Sequence, residues 1–207
     1  HCHTLASDHA YSTVTELAQA AAEKNLLAVA CTDHGVQMPD APHIWHFRNL
    51  NQLPACIHGV RVLRGVEANV LDMDGTLDME CADLEELEIV VASMHRGLMP
   101  GGSVDDMSAA WTAIAKNPLV DIIGHSGDPF YAYDYETLIP LFGETGKIVE
   151  INENTFAVRR QSLDNCRKIA LLCKRYGVRI ALDSDAHYHA CVGRVPHCLE
   201  LLREVAF

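Results

Sequence analysis

The stretch VRVLRGVEAN, residues 60–69, is an aliphatic run that ends in two polar residues, Glu67 and Asn69. Near-continuous Val, Ile and Leu are typical of parallel strands that are buried on both faces. Glu67 lies late in this strand, and parallel α/β folds build their active sites at the carboxyl ends of the strands. The stretch therefore predicts a buried parallel strand that delivers a carboxylate to a functional edge.

Five other runs have the same character, and helical patterns lie between several of them. The predicted strands are 26–32, 60–69, 87–93, 118–124, 146–152 and 178–184, and the predicted helices are 13–24, 105–116, 135–142, 160–176 and 194–205. Repeated strand–helix units indicate a parallel α/β architecture. A seventh strand would end at HCHT, with most of its length upstream of residue 1. Seven such strands could close as a barrel related to the eight-stranded one.

The composition excludes several classes of protein. A net charge of −12 disfavours nonspecific binding to nucleic acid or to anionic membranes, and no apolar run is long enough to span a bilayer. The eight cysteines form no CxxC pair, which favours reduced core thiols in a cytoplasmic protein. No internal repeat or linker stands out, so we expect a single domain over residues 1–207.

Polar residues recur where the predicted strands end. They are His3, Asp33, His34, Glu67, His95, His125, Asp183, Asp185 and His187. Taken alone, each is more simply explained as a surface or core residue. Their repetition on at least five strands predicts that they converge at one rim. Imidazoles gathered with a few carboxylates and without a basic cluster call for divalent cations such as zinc, manganese or iron.

The first three residues fit the same interpretation. In an extended segment His1 and His3 share a face, and Cys2 points to the other side. The two imidazoles could hold one ion, whereas Cys2 would be a packing residue behind the site.

The motifs HCHT, TDHG, GVEAN, SMH, GHS and DSDAH, in this order, resemble those of the PHP (polymerase and histidinol phosphatase) family. The stretches DAPHIWHF and EINEN make the chain most similar to the YcdX-like phosphatases. The resemblance implies a distorted (β/α)7 TIM-like barrel, a single PHP domain and a trinuclear metal centre.

Three ligand sets follow from the resemblance. The first ion would be held by His1, His3, Glu67 and Asp185, and Glu67 would bridge to a second ion held by His95 and His125. A third ion would take His9, His34 and His187. The resemblance also implies catalytic roles for Glu67, Asp185, His187 and His34. We expect three divalent ions, zinc first and manganese or iron as alternatives.

The implied reaction is hydrolysis of a phosphoester. A hydroxide held by the ions would attack phosphorus in line, without a covalent phosphoenzyme. The expected partner is a small phosphomonoester, because the acidic chain repels long polyanions while the ion cluster attracts one phosphate. No nucleic-acid or membrane partner is expected, and the oligomeric state is not predicted.

Other polar residues near the motifs remain open to two interpretations. Asp33 and Asp183 either orient imidazoles or cap turns. Arg96 is better explained by a surface ion pair than by a phosphate contact. His43 and His46 either reach the rim or lie on a loop anchored by Trp45 and Phe47. Two asparagines, Asn152 and Asn154, are further candidates for phosphate contact.

A competing motif occurs in NVLDMDGTLD, residues 69–78, which reads like the DxDGT signature of haloacid-dehalogenase-type phosphatases. In that interpretation Asp72 would be the nucleophile and Asp74 the acid/base. An Asp-Gly pair between extended arms is also a strong hairpin signal, and we favour the hairpin.

Two other functions compete with the phosphatase. A phosphodiesterase or nuclease could use the same ions, but it should show a basic or aromatic track, and clustered Lys and Arg are absent. A structural metal site would be closed by four protein ligands. Two of the three predicted sites have only three ligands, which favours catalysis.

Overall fold

The computed structural model describes residues 1–207, and its strands form a largely parallel sheet surrounded by helices. The strands are β1 (Ala28–Cys31), β2 (Cys56–Ile57), β3 (Val60–Asn69), β4 (Ile89–Ser93), β5 (Ile122–Ile123), β6 (Ile148–Asn152) and β7 (Ile180–Asp183). The helices are α1 (Val14–Glu23), α2 (Ile44–Arg48), α3 (Cys81–Leu84), α4 (Val104–Lys116), α5 (Tyr135–Glu144), α6 (Thr155–Val158), α7 (Leu163–Tyr176) and α8 (Pro196–Glu204). Short 3-10 turns cover Leu50–Gln52, Pro129–Tyr131, Arg160–Ser162 and His189–Cys191.

Six strands pair in parallel in the order β1-β3-β4-β5-β6-β7, and β2 is an antiparallel addition to β3. Cys2 joins the two ends of this sheet, because it forms parallel bridges to Cys31 in β1 and to Ala186 beyond β7. The backbone bonds are His3 N to Ala186 O at 2.9 Å and Thr32 N to Cys2 O at 2.8 Å. The fold is therefore the expected distorted (β/α)7 barrel, with Cys2 as its seventh member.

Local sequence explains where the longer helices begin and end. Thr13 caps α1 in a reciprocal capping box with Glu16, and Ser103 caps α4 in the same way with Asp106. Helix α7 ends at Gly177, whose φ of +68° is the left-handed conformation that glycine adopts without strain. These signals confirm the predicted helices around residues 13 and 160.

Some predicted boundaries were wrong. Only Ile122 and Ile123 of the predicted strand 118–124 pair in the sheet. Residues 117–120 turn instead, with Leu119 N donating to Asn117 Oδ1 at 2.9 Å. Residues 160–162 form a 3-10 turn before α7 rather than its first turn.

The hairpin interpretation of residues 69–78 is confirmed. Val70 and Leu77 form an antiparallel bridge, and Gly75 adopts a φ of +74° at the tip. Asp72 Oδ1 accepts hydrogen bonds from the backbone N–H groups of Asp74 and Thr76, each at 3.0 Å. Asp72 is thus occupied as a turn residue.

All eight cysteines are free thiols. Five are buried as expected, whereas Cys56, Cys81 and Cys191 are exposed. Cys2 packs in a small apolar cluster with Leu17, Val29 and Val62, which confirms its packing role. None of the helices combines the length and the apolar character that a membrane span requires.

Candidate metal centre

All nine predicted ligands lie at the carboxyl rim of the barrel. His1 and His3 flank the bridging Cys2, and Glu67 lies inside β3. The others follow the ends of strands: His34 after β1, His95 after β4, His125 after β5, and Asp185 and His187 after β7. His9 joins them from the loop before α1, so residues 186 positions apart in the chain share one space.

The first predicted ligand set forms a tight group. The Nε2 atoms of His1 and His3 lie 3.1 Å apart. Each also lies near the same two carboxylate oxygens: Glu67 Oε2 at 3.4 and 3.5 Å, and Asp185 Oδ1 at 3.7 and 3.2 Å. Two atoms held at about 2.0–2.1 Å by one tetrahedral ion lie about 3.3 Å apart. The spacing of these four side chains therefore suits a single cation.

Glu67 turns its two oxygens to different neighbours. Oε2 faces His1 and His3, whereas Oε1 lies 2.9 Å from His125 Nε2 and 3.4 Å from His95 Nε2. The side chain is 1% exposed. A carboxylate in this position can bridge two cations.

The third predicted set is less compact than the sequence implied. His9 and His187 are together, with their Nε2 atoms 2.7 Å apart. His34 points its Nδ1 at Glu67 Oε2, 2.9 Å away, and its ring centroid lies 6.3 Å from that of His187. His34 also belongs to a group with His3 and His187 whose ligand atoms all lie within 4.8 Å of one another. His34 therefore lies between the predicted first and third positions.

Hydrogen bonds fix the orientation of four imidazoles. The Nδ1 atoms of His1, His9, His95 and His187 each face an oxygen: Glu150 Oε1, Asp40 Oδ2, Asn69 Oδ1 and the backbone oxygen of Asp185. When the rings are neutral, this arrangement places the proton on Nδ1 and leaves Nε2 as a bare lone pair.

The donor set fits divalent cations. With their protons on Nδ1, the Nε2 atoms of His9 and His187, which lie 2.7 Å apart, would face each other as two lone pairs. His34 Nδ1 is buried without a hydrogen-bond partner although it lies 2.9 Å from Glu67 Oε2. Lone pairs that converge in this way repel one another unless a cation lies between them.

The backbone is strained at two of the predicted ligands. His125 has a φ of +22° and Asp185 a φ of +50°, in a region that costs a residue with a side chain about 1–3 kcal/mol. The strain at His125 is supported by its N–H, which donates to Glu150 Oε2 at 2.7 Å. Such strain concentrates at functional sites, where the surrounding structure enforces it.

The electrostatics of the centre keep its carboxylates ionised. Burial alone would raise the pKa of Glu67, but the charges of His1, His95 and His34 bring it well below its usual value. Burial lowers the pKa of His3 to about 4, so that this ring is neutral at neutral pH. Burial raises the pKa of Cys2 to about 11 and keeps it a thiol. Burial lowers the pKa of His1 and His34, but the charge of Glu67 and its neighbours outweighs burial and raises both. Carboxylates and imidazoles at this spacing form a donor set that zinc, manganese and iron accept in place of those protons.

Four contributors were missed from the sequence. Glu150 lies within β6 and bonds His1 Nδ1 at 2.6 Å, and Arg159 Nη2 lies 3.3 Å from Asp185 Oδ2. Asp40 faces His9, and Asp78 bonds Asn69. The signal for Glu150 was present, because a carboxylate in the apolar run KIVEIN needs a partner. No local pattern marks Asp40, whose partner lies in another segment. Asp78 faces Asn69 across the predicted hairpin, but nothing in the sequence links this pair to His95.

The structure also shows the contacts of the polar residues that the sequence left open to two interpretations. Asp33 accepts from Thr4 and Ser7 and lies 3.2 Å from His46 Nε2, so it holds the loop that leads to His9 and touches no predicted ligand. His43 caps α2. Arg96 forms the expected ion pair, 3.1 Å from Asp128.

The two candidate asparagines and Asp183 lie at or near the rim. Asn152 donates to Asp185 Oδ2 at 3.1 Å, Asn154 lines the cleft over the centre, and Asp183 bonds no imidazole. Phe47 is buried and anchors the loop, whereas Trp45 is 71% exposed and its ring contacts that of His43, with the centroids 5.0 Å apart.

A cleft of about 440 Å³ lies over the centre. Its lining includes His9, His34, Glu67, His95 and Arg159. A second cleft of about 280 Å³ adjoins it along His95, His125 and Arg159. The centre is therefore accessible to a small molecule.

A parallel α/β barrel with imidazoles and carboxylates gathered at its carboxyl rim defines a TIM-like domain whose rim could hold metal ions. A family model described as "PHP domain" matches residues 1–154. The chain belongs to the PHP family.

Curated relatives and a solved structure agree with this assignment. The chain is 42% identical over 207 residues to a probable phosphatase of Caldicellulosiruptor bescii, covering all of this chain and 86% of the relative. It is also 42% identical to a probable phosphatase of Acetivibrio thermocellus, over 99% of this chain and 85% of the relative. The histidinol phosphate phosphatase of Lactococcus lactis, solved with zinc, L-histidinol and phosphate, has a TM-score of 0.66. It is 15% identical and covers 100% of this chain and 92% of its own, so it supports the fold.

Proposed function

We propose that this protein is a metal-dependent phosphatase that releases phosphate from small phosphomonoesters at a trinuclear centre. The observation that carries the proposal is the arrangement around Glu67, whose two oxygens face separate groups of imidazoles. The names of the curated relatives support the reaction, and the zinc and phosphate of the Lactococcus structure support the cofactor and the substrate class.

The residues present fit three divalent cations, zinc first. His1, His3, Glu67 and Asp185 would hold one, and Glu67, His95 and His125 a second. His9, His34 and His187 would hold the third, and His34 would lie between this ion and Glu67. When bound, such ions supply an activated water at neutral pH and neutralise phosphoryl oxygens.

The chain's own side chains complete the site. The acceptors at Nδ1 keep the imidazoles in one tautomer, and Glu150 ties His1 to the backbone of His125. Arg159 is the cation beside the centre, with its guanidinium near Asp185 and Asn152. A guanidinium there can bind phosphoryl oxygens through its fork of donors.

Replacing Arg159 with alanine is expected to lower kcat/KM for a phosphomonoester by roughly 10- to 100-fold, because a charged donor to the phosphoryl group is lost. Because Arg159 also bonds the predicted ligand Asp185 at 3.3 Å, the assay is run at saturating metal, where the ions remain bound. Steady-state phosphate release and metal content measure the two effects. The matched control is Arg61→Ala, which removes an exposed arginine paired with Glu88. Equal activities of the two variants would contradict a substrate-binding role for Arg159.

The function itself is tested by a phosphate-release screen. Metal-free protein receives zinc, manganese or iron and is offered sugar phosphates, amino-alcohol phosphates and a single-stranded oligonucleotide. We expect release from monoesters only when a metal is restored. Cleavage of the oligonucleotide without release from monoesters would replace the proposal with a nuclease.

We also propose that residues 1–207 form one PHP domain in the cytoplasm. The main apolar core joins residues from both sides of position 154, such as Trp111 and Ile123 with Ile169 and Leu201. The eight unpaired cysteines support a reducing compartment.

A further inference from the structure

Asp78 is a buried carboxylate that three hydrogen-bond donors surround and no cation neutralises. It is 7% exposed and follows the hairpin that resembles a dehalogenase motif. Its Oδ1 accepts from Asn69 N at 2.8 Å, and its Oδ2 accepts from Asn69 Nδ2 at 2.6 Å and Gln37 N at 3.0 Å. A buried charge is expensive unless its bonds are well formed, so this cluster requires an explanation.

The contacts of Asn69 fix the direction of its amide. Its Nδ2 lies between two acceptors, Asp78 Oδ2 and the backbone oxygen of Gly35 at 3.3 Å. The amide oxygen must therefore point the other way, where it lies 2.7 Å from His95 Nδ1. Since that oxygen can only accept, His95 carries its proton on Nδ1 and turns a bare Nε2 towards Glu67 Oε1, 3.4 Å away.

Gly35, in the TDHG motif, lets the backbone approach Asp78 closely. A Cβ at this position would lie 2.3 Å from Asp78 Oδ1, closer than any side chain could tolerate. The approach places the loop that carries His34 within reach of the carboxylate, through Gln37 N. Asp78 therefore connects the loop of His34, the end of β3 and the ring of His95.

We propose that Asp78 and Asn69 are positioning residues that present His95 Nε2 to a metal ion, and that the hairpin 70–77 exists to bring Asp78 back behind β3. The proposal rests on ligation by His95 in the proposed function. Neither residue touches the substrate.

The test compares two buried aspartates. Asp78→Asn places an NH₂ group against N–H donors and should weaken binding of one of the three ions by roughly 10- to 100-fold. Its control is Asp83→Asn, which alters an equally buried aspartate that pairs with Arg48 at 2.6 Å, away from the rim. Competition with a zinc chelator gives the affinities, and the visible absorption spectrum of the cobalt-loaded protein reports the ligand field of the altered ion.

A second variant separates positioning from folding. Asn69→Ala removes the acceptor of His95 but leaves the backbone donors of Asp78, and it should change the cobalt spectrum as Asp78→Asn does. If Asp78→Asn does not fold, the zinc affinity and cobalt spectrum of Asn69→Ala test the proposal instead. Wild-type affinity and spectrum in Asn69→Ala would overturn the proposal, as would equal metal loss in Asp83→Asn. Because the test measures metal binding, its result can be interpreted even if the protein has no phosphatase activity.

A different observation concerns the leaving group. A cleft of about 580 Å³ opens beside Asp185 and His187, and its lining includes Arg160 and Arg194. Neither arginine forms an ion pair. The Arg160 side chain makes one hydrogen bond, which Nε donates to the backbone oxygen of Phe156 at 3.2 Å. The carboxylate of Glu153, at the same cleft, is occupied by the backbone N–H groups of His197 and Cys198 and by His197 Nδ1, 2.5 Å from Oε1. The cleft thus offers free positive charge next to the centre.

On the proposed phosphatase function, we infer that this cleft selects phosphomonoesters whose alcohol carries an anionic group. The matched probes are 3-phosphoglycerate and glycerol 3-phosphate, which differ by a carboxylate against a hydroxymethyl group. We expect the ratio of their kcat/KM values to favour 3-phosphoglycerate. The double variant Arg160→Gln/Arg194→Gln should lower that ratio roughly 2- to 30-fold. This is the effect expected when the substrate's anionic group loses two solvent-exposed ion pairs.

The control is Arg179→Gln, an exposed arginine that bonds only Gly146 O and should leave the ratio unchanged. Phosphate release without a preference, or a preference that survives the double variant, would overturn the inference alone. The absence of release from every monoester would overturn the phosphatase as well.

Discussion

The Glu67→Gln variant is expected to lose nearly all phosphatase activity, with kcat/KM reduced by roughly 10²–10³-fold or more. Glu67 contacts both groups of imidazoles, so the neutral amide weakens two metal positions at once. Glutamine also places an NH₂ group, which cannot ligate a cation, where one of the two carboxylate oxygens stood. Steady-state phosphate release and elemental analysis of the variant measure the loss of activity and of ions.

Asp72→Asn is the matched comparison for Glu67→Gln. Asp72 serves the hairpin turn, so its amide should leave activity within about twofold and affect only stability. The reverse order, an inactive Asp72→Asn and an active Glu67→Gln, would contradict the metal-centre account and revive the dehalogenase-type interpretation.

Removal of the ions by a chelator is expected to lower the midpoint of thermal unfolding by about 8–16 °C. Ligands present at a thousandfold excess over Kd stabilise by about 4 kcal/mol, and each kcal/mol shifts the midpoint of a domain of this size by about 2–4 °C. The physical cause is the buried charge of Glu67, Glu150 and Asp185, which loses its counter-ions. Differential scanning calorimetry with and without the chelator measures the shift.

Glu67→Gln provides the control for this experiment. Because it holds fewer ions from the start, the chelator should shift its midpoint by less. A wild-type midpoint that does not move, in protein shown to have lost its metal, would contradict a folding role for the ions.

The sequence predicted those parts of the fold whose signal is continuous along the chain. Strand β3 runs over the predicted 60–69 because its ten residues form one aliphatic run. Strand β5 is shorter than predicted, since Pro118 and Asp121 interrupt the apolar pattern and Asp121 Oδ2 accepts from Val90 N at 2.8 Å. The short helix α2 was missed because five residues are too few to establish a helical period.

The same distinction holds for the site. The convergence of eight of the nine predicted ligands could be predicted because they belong to motifs at strand ends, and the barrel brings such ends together. His9 lies in a loop and was named only through the family resemblance. The partners of the residues that support these ligands could not be predicted. Glu150 is marked in the sequence as a carboxylate in an apolar run, but His1, which it bonds, lies 149 positions away. Asp78 faces Asn69 across the predicted hairpin, but the contact of Asn69 with His95 joins two different strands. Such contacts depend on the closed barrel and leave no periodic trace in the sequence. The grouping of His34 with Glu67 likewise required the structure.

The most direct test is an anomalous difference map from a zinc-loaded crystal, recorded at the zinc absorption edge. The account predicts three peaks per chain, each about 2.0–2.2 Å from its ligand atoms: one among His1, His3, Glu67 and Asp185, one beside His95 and His125, and one beside His9 and His187. A map without a peak between the oxygens of Glu67 and these imidazoles would contradict it.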